Sequence, residues 1–186
     1  AGSGGQGIIL AGLVLAEAVG VYDSREVAMV QSYGPEARGE TSKAEVIISE
    51  SPIDYPLCTR VDMLVALTQE ASDAYCWDLK PDAWIITDSD LVLHPPSSRA
   101  IALPFTAVAR EKLGKAMAAN IVALGAISEI ARLVTRRALE RALVSRVPSG
   151  SETLNKKALS MGIKLARTYH DRKKLAEPGE VSPEDM

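Results

Sequence analysis

Residues 2–7 read Gly2-Ser3-Gly4-Gly5-Gln6-Gly7, and an Ala-rich apolar run follows them directly. The glycines at positions 2, 4 and 7 have the GxGxxG spacing, which permits a tight turn and lets backbone N–H groups approach a phosphate closely. The apolar run predicts a buried helix over residues 7–20, whose N-terminal end adds positive potential at the same place. By itself the pattern is weak, because a glycine turn that packs a helix tightly against a sheet has the same sequence.

A phosphate-binding glycine loop normally lies between a strand and a helix, and the sequence offers no strand before Gly2. We therefore expect that a strand of about five to eight residues belongs upstream of the loop and is missing here. The mass of the intact protein, compared with its reading frame, tests this expectation.

Strands and helices follow one another along the rest of the chain. Apolar segments predict strands at residues 26–32, 44–49, 61–67, 83–87 and 100–103. Helical periodicity predicts helices at residues 105–113, 116–134, 136–146 and 151–173. This order predicts an α/β fold, a Rossmann-like parallel or mixed sheet flanked by helices with a helical C-terminal part. We expect a single domain over residues 1–175 and a disordered tail over residues 176–186.

The composition is that of a globular domain with an uneven charge distribution. The 186 residues are 47% hydrophobic and 24% charged, with a formal net charge of −3. Residues 1–100 have 6 Lys and Arg against 15 Asp and Glu, whereas residues 101–186 have 15 against 9. The acidic balance argues against general affinity for nucleic acid. The apolar runs lack the length or flanks of a membrane span or export signal, so we expect a cytoplasmic protein.

Metal and redox centres have few candidate ligands in this chain. Cys58 and Cys76 are far apart in sequence, and the only histidines are His94 and His170. Two cysteines without a CxxC pair do not supply an iron–sulfur cluster or a Cys-rich zinc site. We predict no metal site, and two reduced thiols rather than a disulfide.

A second polar segment carries both basic and hydroxyl groups. Residues 32–43 read SYGPEARGETSK, and Arg38 and Lys43 are two of the few cations in the acidic half. Arg can hold a phosphate through two parallel N–H bonds, Lys adds a point charge, and Thr41 and Ser42 offer hydroxyl donors. A solvated hairpin loop has the same composition, and only proximity to the glycine loop separates the two interpretations.

The remaining polar candidate is Asn120, which lies within an apolar helical run. Its amide needs partners if it is buried, and these are either backbone groups of the core or a bound ligand. Catalytic constellations such as GxSxG, HExxH or a Walker lysine are absent from the sequence. A dinucleotide site also requires an acid at the end of the second strand, where the sequence reads Gln31-Ser32-Tyr33, so NAD is disfavoured.

Five motifs together carry a family resemblance over residues 2–130. They are GSGGQGIILAG (2–12), SYGPEARGETSKAEVIIS (32–49), PIDYP (52–56), DMLVALTQEA (62–71) and NIVALGA (120–126). In this order they resemble the gamma subunit of 2-oxoacid:ferredoxin oxidoreductases, with the 2-oxoglutarate and branched-chain types closer than the pyruvate type. The fold implied is that of the coenzyme A-binding domain III of pyruvate:ferredoxin oxidoreductase.

The resemblance implies a supporting part in an oxidoreductase complex. Such a gamma subunit binds coenzyme A and presents its thiol to the acyl-thiamine intermediate held by partner subunits. Thiamine diphosphate, magnesium and iron–sulfur clusters are expected in the alpha, beta and ferredoxin-like delta subunits only, with no catalytic residue in this chain. The resemblance then implies that the isolated chain is inactive. It does not decide whether the isolated chain forms a homodimer, which oxoacid the complex uses, or what the basic C-terminal helices do.

The resemblance also implies a set of ligand contacts, with one departure from the family pattern. The family reads Arg-Gly-Gly where this chain has Arg38-Gly39-Glu40, and a carboxylate there would repel phosphates. Two alternatives stay open, the beta subunit of an indolepyruvate oxidoreductase and a structural subunit that binds no ligand. The residues expected to contact coenzyme A are Gly2, Ser3, Gly4, Gly5, Gln6, Gly7, Arg38, Gly39, Thr41, Ser42, Lys43 and Asn120.

Overall fold

The computed structural model of the chain describes residues 1–33 and 41–176. Two segments with predictions therefore lie outside the described residues, the Arg38-Gly39-Glu40 segment and the tail from residue 177 onward. The strands are β1 (Gly2–Ser3), β2 (Glu26–Tyr33), β3 (Thr41–Ser49), β4 (Val61–Ala66), β5 (Leu79–Asp88) and β6 (Ile101–Leu103). The α-helices are α1 (Ile8–Glu17), α2 (Gln69–Tyr75), α3 (Phe105–Leu113), α4 (Ala119–Ala131), α5 (Arg136–Arg146) and α6 (Glu152–Ala176).

The strands form two three-stranded sheets of different kinds. The first has the order β1-β3-β2 and is antiparallel, with β2 and β3 paired along their length. The second has the order β4-β5-β6 and is parallel. The predicted α/β class with a mixed strand arrangement and a helical C-terminal part is confirmed.

Ala1 connects the two sheets through its backbone. Its amino group donates to the carbonyl oxygen of Val65 at 2.7 Å, and its own carbonyl accepts from the Leu67 N–H at 2.9 Å. Bonding to the residues on either side of Ala66 is the pattern of a parallel ladder. Ala1 therefore lies beside β4, and the next two residues, Gly2 and Ser3, pair with β3.

Most of the predicted element bounds are confirmed, with β5 the largest exception. This strand begins at Leu79, earlier than the predicted residue 83, and includes Pro81. Its register against β4 jumps from Leu79 to Trp84, so Pro81 lies in an irregular segment where no ladder N–H is required. Helix α2 is capped by Thr68, whose hydroxyl accepts from the Ala71 N–H at 3.2 Å.

The C-terminal helices pack closely enough that glycine is required at their crossing. A Cβ at Gly125 of α4 would collide with the Leu159 backbone, and one at Gly162 of α6 would collide with the Val122 carbonyl oxygen. Every residue of α4 from Ala119 to Ser128 is buried. The two helices form one face of a core that also holds the apolar side of α1.

Candidate ligand-binding site

The glycine loop is a turn that is stabilised by hydrogen bonds between Gln6 and Ser3. Gln6 Oε1 accepts from the Ser3 N–H at 2.8 Å, and the Gln6 N–H donates to the Ser3 carbonyl at 3.2 Å. Both bonds close the turn between β1 and α1. Gln6 was predicted as a ligand contact. In this structure its side-chain oxygen Oε1 accepts a hydrogen bond from the loop backbone instead, and a ligand contact through Gln6 stays a prediction.

Gly7 joins the loop to helix α4 through Asn120. It has φ +73° as the residue before α1, and a Cβ there would collide with the Asn120 amide nitrogen. Asn120 Nδ2 donates to the Gly7 carbonyl at 2.9 Å, and Asn120 Oδ1 accepts from the Ile121 N–H at 2.9 Å. The side chain is 5% exposed. Asn120 therefore holds the loop against the core, and a ligand contact through it stays a prediction.

The outer part of the loop offers backbone groups to solvent. Gly4 and Gly5 are exposed, and Gly5 has φ +86° with open space where a Cβ would stand. The ten residues of α1 begin just beyond, with no side chain capping the helix start and no acidic residue in the first turn. This end of the helix carries unsatisfied N–H groups and a partial positive charge, which favour an anion.

The second predicted segment lies beside the loop where the structure describes it. Ser42 pairs with Gly2 and Thr41 pairs with Ser3 in the antiparallel ladder of β1 and β3. The buried Ser42 hydroxyl lies 3.4 Å from the Gly2 carbonyl oxygen, a long hydrogen bond. The ladder thus brings Thr41 and Ser42 to the glycine loop, the proximity that sequence left open.

Lys43 also lies near the loop, but its charge is already engaged. Its Nζ is 3.3 Å from Glu45 Oε1 and 5.2 Å from the centre of the Tyr75 ring. The Tyr75 hydroxyl in turn lies 3.4 Å from Thr41 Oγ1. Tyr75 is the member of this cluster that sequence reasoning missed, because nothing in α2 marks its last residue as facing β3.

The strand order removes the usual place of a dinucleotide ribose. In the dinucleotide fold the second strand runs parallel beside the glycine strand and ends in an acid. Here β1 is flanked by antiparallel β3, and β2 lies one strand further out. This strand order is therefore a second argument against a dinucleotide site, in addition to the missing acid at the end of the second strand.

The other polar candidates have structural partners. Asp88 is fully buried at the end of β5, where its carboxylate accepts from the Thr106 N–H at 3.0 Å, and Asp90 accepts from the Ala107 N–H. Both carboxylates therefore cap α3. Burial raises the pKa of Asp88, although hydrogen bonds from Thr106 act in the opposite direction.

The cysteines and acidic residues that the structure describes were compared with the needs of a metal centre. Cys58 and Cys76 are both free thiols. Within residues 1–33 and 41–176, no three His, Cys, Asp or Glu side chains lie close enough to hold a metal ion. Among the helices that the structure describes, none is long and apolar enough to span a membrane.

The fold and loop together define a Rossmann-like α/β domain with a glycine loop leading into its first helix. The model of the family "Pyruvate ferredoxin/flavodoxin oxidoreductase" matches residues 1–165, and the chain belongs to that family. The family resemblance drawn from the five sequence motifs is confirmed.

Relatives of similar length are gamma-type subunits. The chain is 42% identical over 170 residues to 2-oxoglutarate synthase subunit KorC of Methanocaldococcus jannaschii, covering 89% of this chain and 91% of that protein. It is 44% identical to the keto/oxoacid ferredoxin oxidoreductase gamma subunit of Geobacter sulfurreducens, with a TM-score of 0.80 over 90% of this chain and 95% of the other.

A more distant solved structure shares the fold. The 2-oxoglutarate:ferredoxin oxidoreductase of Magnetococcus marinus, solved with 2-oxoglutarate, coenzyme A and succinyl-CoA bound, has a TM-score of 0.80 at 23% identity. The match covers 90% of this chain and 30% of that longer one. At this identity the likeness shows a shared fold, which occupies only part of the longer chain.

Proposed function

We propose that this chain is the coenzyme A-binding gamma subunit of a 2-oxoacid:ferredoxin oxidoreductase. In this proposal it binds coenzyme A at the glycine loop and presents the thiol to the acyl group held by partner subunits. The observation that carries the proposal is the exposed turn at Gly4 and Gly5, directly before the uncapped start of α1. Backbone N–H groups at a helix start suit the phosphates of coenzyme A.

The groups around the loop divide into contacts and supports. Thr41 lies on the strand that borders the loop, and its hydroxyl can donate to a phosphate oxygen. Gln6 and Asn120 hold the loop in shape through the hydrogen bonds described above. Lys43 adds positive potential in spite of its ion pair with Glu45, which only partly cancels the charge of a side chain that is 30% exposed.

The chemistry of decarboxylation and electron transfer is proposed to lie in partner subunits. Those partners are alpha, beta and ferredoxin-like delta subunits, which would hold thiamine diphosphate, magnesium and the iron–sulfur clusters. The free thiols Cys58 and Cys76 favour the reducing cytoplasm as the compartment of the complex. The KorC relatives make 2-oxoglutarate the first oxoacid to test.

The complete complex tests this function. Purified from its host with its partners, the complex should form an acyl-CoA from a 2-oxoacid and reduce ferredoxin. With Gly5→Val in this chain, we expect the KM for coenzyme A to rise at least about tenfold while the KM for the oxoacid stays unchanged. An unchanged KM for coenzyme A would contradict the loop assignment and favour a purely structural subunit.

A further inference from the structure

Trp77 is a large apolar side chain that is held out in solvent just beyond the end of α2. It is 83% exposed, although burial of a Trp ring is among the largest hydrophobic gains that a fold can make. Its ring nitrogen Nε1 donates to the Asp73 carbonyl oxygen at 3.1 Å, one turn back along the helix. The exposed ring is therefore already fixed in one orientation, which lowers the conformational entropy that binding would cost.

A second exposed apolar residue, Leu93, is fixed beside the same helix. It is 73% exposed and lies in the loop that follows β5. Gln69 of α2 holds this loop at the next residue, because its Nε2 donates to the His94 carbonyl oxygen and its Oε1 accepts from the His94 N–H, both at 2.9 Å. Gln69 Nε2 also donates to Asp73 Oδ1 at 2.9 Å. Asp73 thus connects the supports of both apolar side chains.

The segment around these two side chains is strongly acidic. Residues 61–98 contain seven Asp and Glu and only one Lys or Arg, a Lys whose Nζ lies 2.7 Å from an Asp carboxylate oxygen. Three exposed acids lie on the outer side of α2 or directly after Trp77, namely Glu70, Asp73 and Asp78. An apolar centre with a charged rim is the layout of a protein–protein interface.

We propose that Glu70, Asp73, Trp77, Asp78 and Leu93 form a docking surface for another subunit of the same complex. The partner would present an apolar pocket that receives the Trp77 ring and is bordered by Lys and Arg. Charge complementarity decides this chemistry, because carboxylates on the partner would be held against the acidic rim. The inference rests on the proposed function, since it requires the partner subunits of a 2-oxoacid:ferredoxin oxidoreductase.

The docking surface gives a function to a sequence motif that the coenzyme A proposal does not use. None of the expected coenzyme A contacts lies in the motif over residues 62–71, which includes Gln69. By holding the backbone of His94, the Gln69 amide keeps Leu93 beside α2. The two apolar side chains are thereby presented together to a partner.

The complete complex, produced with variants of this chain, tests the proposal. Trp77→Ala and Leu93→Ala remove the two apolar side chains, and Val21→Ala is the matched control, because Val21 is 66% exposed in a different part of the chain. Asp78→Lys reverses one rim charge, and Glu111→Lys makes the same change of charge at an exposed position of α3. Sedimentation measures the Kd between this chain and the remaining subunits, and thermal unfolding of each variant chain checks its fold.

The two control variants should change this Kd by less than about twofold. We expect Trp77→Ala to raise it at least about thirtyfold, because a Trp in a desolvated pocket is a typical interface hot spot. Leu93→Ala should raise it about fivefold or more. Asp78→Lys should raise it by a similar factor at low salt and by less at high salt, because salt screens the charges of a rim.

The same samples distinguish this inference from the proposed function. Equal Kd values for Trp77→Ala and Val21→Ala, in complexes that keep the native KM for coenzyme A, would overturn the docking surface and leave the proposed function standing. A chain that co-purifies with no other subunit would contradict both. A dimer of the isolated chain that Trp77→Ala dissociates would also overturn the inference, because a second copy would then cover the surface.

Discussion

Glycine serves opposite purposes at the two ends of this molecule. At the crossing of α4 and α6, Gly125 and Gly162 allow two buried backbones to approach one another, and any side chain there would collide with main-chain atoms. In the loop between β1 and α1, Gly5 stands in open space and is needed only for its positive φ. The helix crossing leaves no room for a side chain or a ligand, whereas the backbone of the exposed loop is accessible to a ligand.

This difference separates stability from binding. Changes at the helix crossing should act through packing, because a close-packed interior has no room to relax. Changes at the exposed turn should act on the ligand, because few contacts depend on it. Asn120 belongs to both regions, since it is part of α4 and holds Gly7.

The largest expected effect is on stability at the helix crossing. Gly162→Leu would force a side chain against the Val122 carbonyl oxygen and should cost about 3 kcal/mol or more, with loss of the folded state as one outcome. Chemical denaturation followed by circular dichroism measures it. Lys164→Leu, which adds the same side chain at an exposed position of α6, should change the free energy of unfolding by less than about 0.5 kcal/mol. Similar losses from both variants would contradict the close crossing.

A smaller effect is expected where the two regions meet. Asn120→Ala removes the hydrogen bonds to Gly7 and Ile121, so we expect a loss of about 1–3 kcal/mol and weaker coenzyme A binding. Ser128→Ala is the matched control, because this buried hydroxyl of the same helix has no partner among the described residues and its removal should cost little. A loss of stability with unchanged affinity would restrict Asn120 to the core.

The smallest effect on stability is expected at the ion pair between Glu17 of α1 and Arg146 of α5. Burial alone would raise the pKa of Glu17, but hydrogen bonds from Ser145 and Arg146 outweigh it and the pKa is lowered. The carboxylate therefore stabilises the fold above its ordinary pKa of 4.5, and this contribution is lost as pH falls through the lowered pKa. Glu17→Gln should cost about 1–2 kcal/mol at neutral pH. In unfolding experiments from neutral to acidic pH the difference from the native chain should shrink, and a constant difference would exclude the ionised pair as its cause.

Much of the fold follows from local sequence signals. The helices over residues 105–113 and 136–146 were predicted from their periodicity, and the structure has the same bounds. Local residues set these ends, because Gly114 ends the first helix in the left-handed conformation and the Thr135 hydroxyl caps the second. The bounds of β5 were wrong, since an irregular segment around Pro81 is set by pairing with β4 and leaves no local signal. The meeting of β3 with β1 likewise depends on register, which composition does not encode.

The site was predictable in its members but not in their partners. The sequence identified Gln6 within the glycine loop, and the family resemblance added Asn120 and Lys43 as expected ligand contacts. It could not show that the amide groups of Gln6 and Asn120 bond to the backbone, or that Lys43 pairs with Glu45. Those partners come from distant segments, and their positions depend on the packed structure. Arg38 and Gly39 stay predictions, because they lie outside the described residues.

Titration calorimetry of coenzyme A tests the central claim most directly, with Gly5→Val compared to Gly150→Val. The two glycines have φ of +86° and +87°, and a Cβ added to either would meet no atom within 4 Å, so the backbone strain of the two substitutions should match. We predict that both variants lose similar stability, about 1–3 kcal/mol. Only Gly5→Val should lose affinity for coenzyme A, by at least about tenfold. Equal affinity of the two variants would contradict binding at the glycine loop.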